Sequence, residues 1–335
     1  MPEFSEDELV SALRTILAED SAGVRLGLGD DAALVELGQY PVVLTADLLA
    51  EGVHFRRETT SPHDLGYKSL AVNVSDVAAM GGSPRFALVS LGIPQDVEMA
   101  WVVELYAGLR DAASEYAMAI VGGDTSRAGS IVISVAIAGE VVHGLAVTRA
   151  GAKPGDRVVV TGTLGAAAGG LRLEAAPKHD VAAVASSWGR ELLAAHARPV
   201  ARVGEGQTLA REGATAMIDV SDGLAIDLAR LCRESRVGAS VVLEEVPVAP
   251  ALLEMRSALG IDPLELALGG GEDYELLATL PPAAVQLTAD LLRDRFGTRL
   301  TDIGEIRSGE GLVAVEADGS ERPLEAKGWD HFART

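Results

Sequence analysis

Apolar residues along this chain recur in two rhythms. Short continuous apolar runs alternate with longer stretches in which apolar positions return at helical spacing. "FSEDELVSALRTILAE" has the helical rhythm, with Ser5 as N-cap, Glu8 closing a capping box, and Phe4 and Leu9 spaced as a hydrophobic staple. "PVVLTAD" reads as a buried strand ending at Asp47. "SPHDLGYKSLAVNVSDVAAMGG" reads as a helix capped by Ser61, with Pro62 in its first position and glycine at its end. "RFALVSLGIP" is strand-like and "EMAWVVELYAGLRDAASEY" helical. "MAIVGGD" is a short strand running into glycines and Asp124, and "SIVISVAIAGEVV" is a long β-rich run.

The pattern breaks at "TRAGAKPGDR", whose glycines and proline mark a boundary near residue 150. Beyond it, "VVVTG" reads as a strand, and "AAAGGLRLEAA" and "SWGRELLAAH" as helices. "ATAMIDVSDGLAIDLARLCRES" reads as strand, turn and helix, and "ELLATL" and "LTDIGEI" as further strands. Strands alternating with helices in both halves predict two α/β or α+β domains, residues 1–149 and 150–335. A length of 335 residues suits two domains, and 48% hydrophobic residues suffice to fill their cores.

Charge narrows the partners. The net charge of −21 argues against nucleic acid, which requires clustered Lys and Arg, and against an anionic membrane surface. A phosphorylated small molecule stays open, provided divalent cations screen the acids. A single cysteine, Cys232, excludes a disulfide framework within the chain and disfavours a thiolate metal site. No apolar run approaches the ~20 residues of a membrane span. The start "MPEFSEDELV" lacks the basic and apolar regions of a signal peptide. A soluble cytoplasmic protein is expected.

Seven aspartates stand out. Asp47, Asp124, Asp219 and Asp222 are predicted at or just past the ends of apolar strands, where α/β folds tend to place ligands. Asp76 sits in an apolar helix one turn after Asn73, where a lone carboxylate costs several kcal/mol unless it is paired or bound to metal. Asp30 and Asp31 stand side by side on a glycine turn, "GLGDDAALVE". Each taken alone also suits a turn or cap. As a group, several carboxylates without His or Cys suit Mg²⁺, which bridges to substrate phosphates.

Other motifs are weaker or absent. "GLGDDA" matches the G-x-G-x-x-A spacing, but two aspartates would face a pyrophosphate there. "VVVTGTLGAAAGGL" has strand–turn–helix context, with glycines that also suit a tight turn and close packing. The chain has no G-x-x-x-x-G-K-[ST], no protein-kinase motif set, no G-x-S-x-G, no H-E-x-x-H and no EF-hand loop. Its six histidines lack zinc spacing. His54 lies near Asp47 but also fits a structural role. Arg149, at the boundary, fits a phosphate-binding fork or a solvated linker residue. Trp329 fits a stacking surface or a core anchor.

In order along nearly the whole chain, "GLGDDAAL", "TADLLAEGVHF", "DLGYKSLAVNVSDVAAMGGSPRF", "VGGDTSRA", "VTRAGAKPGD", "IDVSDGLAIDLARL", "LGGGEDYEL" and "GWDHF" resemble the thiamine-monophosphate kinase family. That family belongs to the aminoimidazole ribonucleotide synthetase-like superfamily, which binds ATP without a P-loop. The resemblance implies an N-terminal α/β domain whose sheet forms a barrel across a homodimer, and a C-terminal α/β domain that closes an ATP cleft. It implies Mg²⁺ ligands at Asp30, Thr45, Asp47, Asp76, Asp124, Asp219 and Asp222. It implies ATP contacts at Tyr106, Gly123, Asp124, Arg149 and Ser221, and thiamine monophosphate contacts at His54, Glu272 and Trp329. The chain departs from the pattern at Ala46, where relatives often carry a hydroxyl.

The implied reaction is ATP plus thiamine monophosphate giving ADP plus thiamine diphosphate. A phosphate monoester, with a second pKa of about 6, is already a nucleophile at neutral pH. No general base is then required, which accords with the missing Ser, Cys and His machinery. Superfamily rivals fit less well. Selenophosphate synthetase requires a reactive Cys or selenocysteine near the start, and the hydrogenase maturation protein requires a C-terminal cysteine; neither is present. An aminoimidazole ribonucleotide synthetase-like acceptor is opposed mainly by "GEDYEL" and "GWDHF". A non-catalytic acidic divalent-cation binding protein is the reading from another class.

Overall fold

The computed structural model describes residues 8, 10, 24–27, 29–37, 40–175, 184–259 and 262–329. Most of the predicted first helix and of the final "GWDHF" lies outside these residues; Glu8 and Val10 are helical.

The first half forms a six-stranded sheet in the order β1-β2-β3-β6-β4-β5. Its strands are β1 (Val24–Leu26), β2 (Ala33–Leu37), β3 (Tyr40–Ala50), β4 (Ser83–Ile93), β5 (Ala119–Arg127) and β6 (Val132–Glu140). Pairing is antiparallel except between β4 and β5. Side chains alternate across this sheet. Val43 and Leu49 on β3, Ala87, Val89 and Leu91 on β4, and Ile133, Val135 and Ile137 on β6 are buried. Leu44, Leu48, Phe86 and Leu88 point out from the opposite face.

Two helices cover the buried face, α1 (Pro62–Ala79) and α2 (Met99–Glu115). Helix α1 starts as the sequence predicts, with Ser61 Oγ accepting the Asp64 N–H at 3.0 Å and Pro62 in the first turn. It crosses α2 through two glycines. A Cβ on Gly66 would lie 1.9 Å from Leu105 O, and one on Gly108 would lie 1.8 Å from His63 O. Helix α1 is buried nearly all round, polar residues included, because its other side meets the second half.

The second half is a seven-stranded sheet in the order β13-β12-β9-β11-β7-β10-β8. These strands are β7 (Arg157–Thr161), β8 (Ala216–Asp219), β9 (Gly238–Val242), β10 (Leu276–Leu280), β11 (Leu300–Arg307), β12 (Gly311–Val315) and β13 (Glu321–Pro323). Only β9 and β12 pair in parallel. Alternate residues of β7 feed two cores, Val158 and Val160 on one face and Val159 on the other. The helices are α3 (Ala166–Ala175), α4 (Ser187–Ala197), α5 (Val203–Arg211), α6 (Leu224–Ser235), α7 (Pro250–Leu259), α8 (Pro263–Gly269) and α9 (Pro282–Phe296). Among the described residues no helix is long and apolar enough to cross a membrane.

The structure corrects two strand ends. Asp47 and Asp124 lie inside β3 and β5, opposite Val135 and Ser90, and not past their ends. The apolar "LLA" after Asp47 keeps β3 paired with β6 as far as Ala50. The glycines before Asp124 continue β5. Gly123 has φ +151 and approaches β4 so closely that a Cβ would lie 1.8 Å from Val89 O. The sheets are mainly antiparallel, so the acids do not collect at the ends of parallel strands. They collect where the two halves meet.

Candidate active site

The strand rhythm decides which acids meet. On β3, Thr45 and Asp47 share the inner face with Val43 and Leu49, and so face α1. On α1, Asn73 and Asp76 are one turn apart and point back toward β3. Pairing with β2 stops at Leu44, so the Asp47 N–H donates instead to Asn73 Oδ1 at 2.8 Å. Thr45 Oγ1 donates to Asp76 Oδ2 at 2.5 Å. From the second half, Asp219 ends β8, and Ser75 Oγ of α1 donates to its Oδ2 at 2.6 Å. Asp31 comes from the turn between β1 and β2.

One carboxylate oxygen from each of Asp31, Asp76 and Asp219 lies within 4.8 Å of the other two. Burial, then the charges of Asp47, Asp219 and Asp31, push the Asp76 carboxyl well above its ordinary range. Burial and Asp31 do the same to Asp219. Burial and Asp31 raise Asp30 to about 6, against the opposing pull of Arg149. Such a cluster resists ionisation unless a cation joins it. Thr45 and Ser75 each donate to one oxygen of their aspartate and so fix the orientation of the two carboxyl groups. An all-oxygen donor set of this kind fits Mg²⁺.

Arg149 spans the same place. Its Nη2 donates to Asp31 Oδ1 at 2.7 Å, its Nε to Asp31 Oδ2 at 3.3 Å, and its backbone N–H to Asp30 Oδ2 at 3.0 Å. Beyond Asp219 the turn Ser221–Gly223 leads into α6. Arg230 Nη1 donates to Asp222 Oδ2 and, at 2.9 Å, to Asp227 Oδ1. Burial and Asp222 raise the Asp227 carboxyl to about 7.

Asp30, Asp31, Asp76, Asp219, Arg149 and Arg230 line a cleft of about 2020 Å³ between the halves. Of the residues expected at a site, Asp30, Thr45, Asp47, Asp76, Asp219, Asp222, Arg149, Ser221, His54, Glu272 and Trp329 all line it. His54 Nδ1 accepts the Ala50 N–H at 3.0 Å. Trp329 is half exposed, and its backbone N–H donates to Asp222 O at 3.0 Å. Glu272 and Tyr274 are left-handed non-glycine residues, with φ +69 and +51, on the loop that enters β10.

Three expected residues do not line the cleft. Asp124 is in register with Ser90, on the outward face of the first sheet that also carries Leu88. Gly123 is on the same strand, and Tyr106 packs against the first core from α2. Ala46 also points to that outward face, away from the Asp76 side of β3. Sequence reasoning did not single out Asp227, Arg230, Lys68 or His196. A lone lysine inside the apolar run of α1 was the one available signal among them.

Comparison with known proteins places this architecture. Residues 29–141 match the AIR synthase related protein, N-terminal domain, and residues 153–316 the AIR synthase related protein, C-terminal domain. The chain is therefore built as an AIR synthase related protein. A thiamine-monophosphate kinase of Aquifex aeolicus (strain VF5) is 38% identical, covering 91% of this chain and 92% of its own. That of Escherichia coli (strain K12) is 39% identical, covering 92% and 93%. The chain belongs to the thiamine-monophosphate kinase family. A solved structure, AaThiL complexed with AMPPCP and TMP, superposes with a TM-score of 0.85 at 36% identity, covering 99% of this chain and 98% of that one. A hydrogenase maturation protein, HypE from E. coli, shares the fold at TM-score 0.70 and 19% identity.

Proposed function

We propose that the cleft transfers the γ-phosphoryl group of ATP directly to the phosphate of thiamine monophosphate, giving thiamine diphosphate and ADP. The observation that carries this reading is the buried carboxylate cluster at the junction of the halves. Asp31, Asp76 and Asp219, with Asp30, Thr45, Asp47 and Asp222 around them, would hold Mg²⁺. Bound Mg²⁺ supplies the positive charge that lets two phosphate groups approach and neutralises the leaving group. The acceptor phosphate attacks in line, the bond between the γ-phosphorus and the bridging oxygen breaks, and ADP leaves with that electron pair. No side chain has to remove a proton.

Arg149 is suited to grip ATP phosphates with its guanidinium fork, and Ser221 lines the same cleft. His54, Glu272 and Trp329 are assigned to thiamine monophosphate, with the indole offering a stacking face to the rings. We assign Asp124, Gly123 and Tyr106 to a site completed by a second copy. The outward face of the first sheet supports a homodimer, since Leu44, Leu48, Phe86, Leu88 and Val121 are exposed there. Two such faces packed together would give a barrel across the dimer. We take residues 1–149 as the domain for dimerisation and part of the ATP and Mg²⁺ site. Residues 150–335 form the domain that closes the cleft. A cytoplasmic location accords with the single buried cysteine.

Phosphorus NMR of the product tests the reaction. A diphosphate ester should appear only with ATP, thiamine monophosphate and Mg²⁺ together. Label from γ-labelled ATP found covalently on the protein would refute direct transfer. Mixing inactive Asp124→Ala and Asp76→Asn proteins tests the shared site. Random pairing gives heterodimers with one intact site each, so about a quarter of wild-type activity should return. No recovery, with exchange of subunits verified, would leave Asp124 outside the site.

A further inference from the structure

Helix α1 carries one lysine into the interior. The Lys68 side chain is 3% exposed, and its Nζ lies 2.8 Å from Glu272 Oε1. A buried ammonium needs a counter-charge, so Glu272 could serve only to neutralise it. The placement of Glu272 argues otherwise. It occupies a left-handed backbone conformation that is costly for a non-glycine residue, and its side chain opens onto the cleft with 23% exposure. A counter-charge alone would be better provided by an unstrained, fully buried residue.

The carboxylate is held from three sides. Lys68 of α1 takes Oε1. His196 of α4 stands with Nδ1 2.8 Å from Oε2. The Glu272 backbone N–H donates to Ser221 O at 2.7 Å, which ties the loop to the turn after Asp219. The far nitrogen of His196 lies 3.9 Å from Glu174 of α3. The neighbouring acids are engaged elsewhere. Asp273 accepts the Gly165 and Ala167 N–H groups, and Glu275 accepts the Arg202 guanidinium and the Thr161 hydroxyl. Glu272 is the acid of this loop that stays turned to the cleft.

We propose that Lys68 and His196 are positioning residues that fix Glu272 as an anionic acceptor for the ring end of thiamine monophosphate, the end that bears its amino group and its cationic charge. This rests on the function proposed above. A fixed carboxylate repels the substrate phosphate, whereas the cluster at Asp31, Asp76 and Asp219 collects phosphates once cations are bound. The two sites therefore orient the substrate in one sense only, rings toward Glu272 and phosphate toward the cluster. Burial works to raise the Glu272 carboxyl, but Lys68 and His196 outweigh it and hold it at about 2, so the acceptor stays charged.

The test compares full-length Lys68→Met, Lys68→Arg, Glu272→Gln and the Lys68→Met/Glu272→Gln double variant with wild type. Steady-state kinetics give KM for thiamine monophosphate, and calorimetry gives ATP affinity. Lys68→Met and Glu272→Gln should each raise that KM on the order of 10- to 100-fold, the range of a lost hydrogen bond to a charged group, with ATP affinity unchanged. Lys68→Arg should recover most of the loss. The double variant should be no worse than Glu272→Gln alone, because Lys68 acts through Glu272. It also removes both charges together, so it carries the test if Lys68→Met does not fold. An unchanged KM in Lys68→Met, a further loss in the double variant, or an equal loss of ATP affinity would overturn the proposal. A wild type that forms no thiamine diphosphate would overturn the proposed function as well, a separate outcome from normal turnover with an indifferent Lys68.

Discussion

Asp76→Asn should make the metal-free protein more stable while destroying its activity. Two unit charges 4.8 Å apart, the outer limit within the cluster, repel by about 3.5 kcal/mol at an effective dielectric constant of about 20. In the metal-free chain, burial and this repulsion hold the Asp76 and Asp219 carboxyls well above their ordinary range, so each keeps its proton to a higher pH than it does unfolded. Keeping a proton at pH 7 on a group that titrates near 4 when unfolded costs up to about 4 kcal/mol. Asparagine removes that cost and still accepts the Thr45 hydroxyl. In EDTA at pH 7 the variant should therefore exceed wild type by roughly 1 to 4 kcal/mol, several degrees in melting temperature. Near pH 4 the difference should close. Saturating Mg²⁺ should reverse the order. Wild type gains about 2.7 kcal/mol at one hundred times Kd, and the variant, lacking a ligand, gains far less. Thermal melts with EDTA or Mg²⁺ at two pH values read all four conditions. Equal melting temperatures in EDTA together with an equal Mg²⁺ increment would refute the clustering of charge at Asp76.

Asp273 offers a pH test away from the cluster. Burial raises its carboxyl to about 8, so between about pH 4 and 8 the folded chain binds a proton that the unfolded chain has lost, and stability falls as pH rises. Asp273→Asn should flatten that part of the metal-free stability profile, and an unaltered slope would contradict the assignment. Arg202→Ala should cost about 3 to 5 kcal/mol by leaving the buried Glu275 carboxylate unpaired, read as a lower denaturant midpoint. An Arg202→Met/Glu275→Leu protein should regain most of it. Trp329→Ala should weaken thiamine monophosphate binding more than ATP binding, and equal losses in calorimetry would make Trp329 a structural anchor.

Much of the site was legible because polar residues in apolar surroundings are conspicuous. Asp76 and Asn73 on an apolar helix pointed to a partner, and they have Thr45 and Asp47. The strand at Asp219 and the helix at Leu224 also stand where the apolar runs put them. What sequence did not reveal was direction. Asp47 and Asp124 look alike in sequence, each an acid after an apolar run, yet one faces α1 and the other the open side of the sheet. That difference is set by pairing register, which arises from strands distant in the chain. Asp30 and Asp31 are adjacent, yet Asp31 joins Asp76 and Asp219 while Asp30 accepts the Arg149 N–H, a division that their shared sequence context does not disclose. The partners of Glu272 come from helices far apart in sequence, and no local pattern links them.

The crossing of α1 and α2 has a genetic consequence. Helix α1 bears Lys68, Asn73, Ser75 and Asp76, and its distance from α2 is set by the missing side chains of Gly66 and Gly108. An alanine at Gly108 alters no residue of the cleft, yet its methyl group must displace one helix from the other. An allele with that single change would retain every residue assigned to ligands and still lose the register between α1, β3 and β8. Inherited loss of function in such a gene would then map to a position that an inspection restricted to the cleft would pass as harmless.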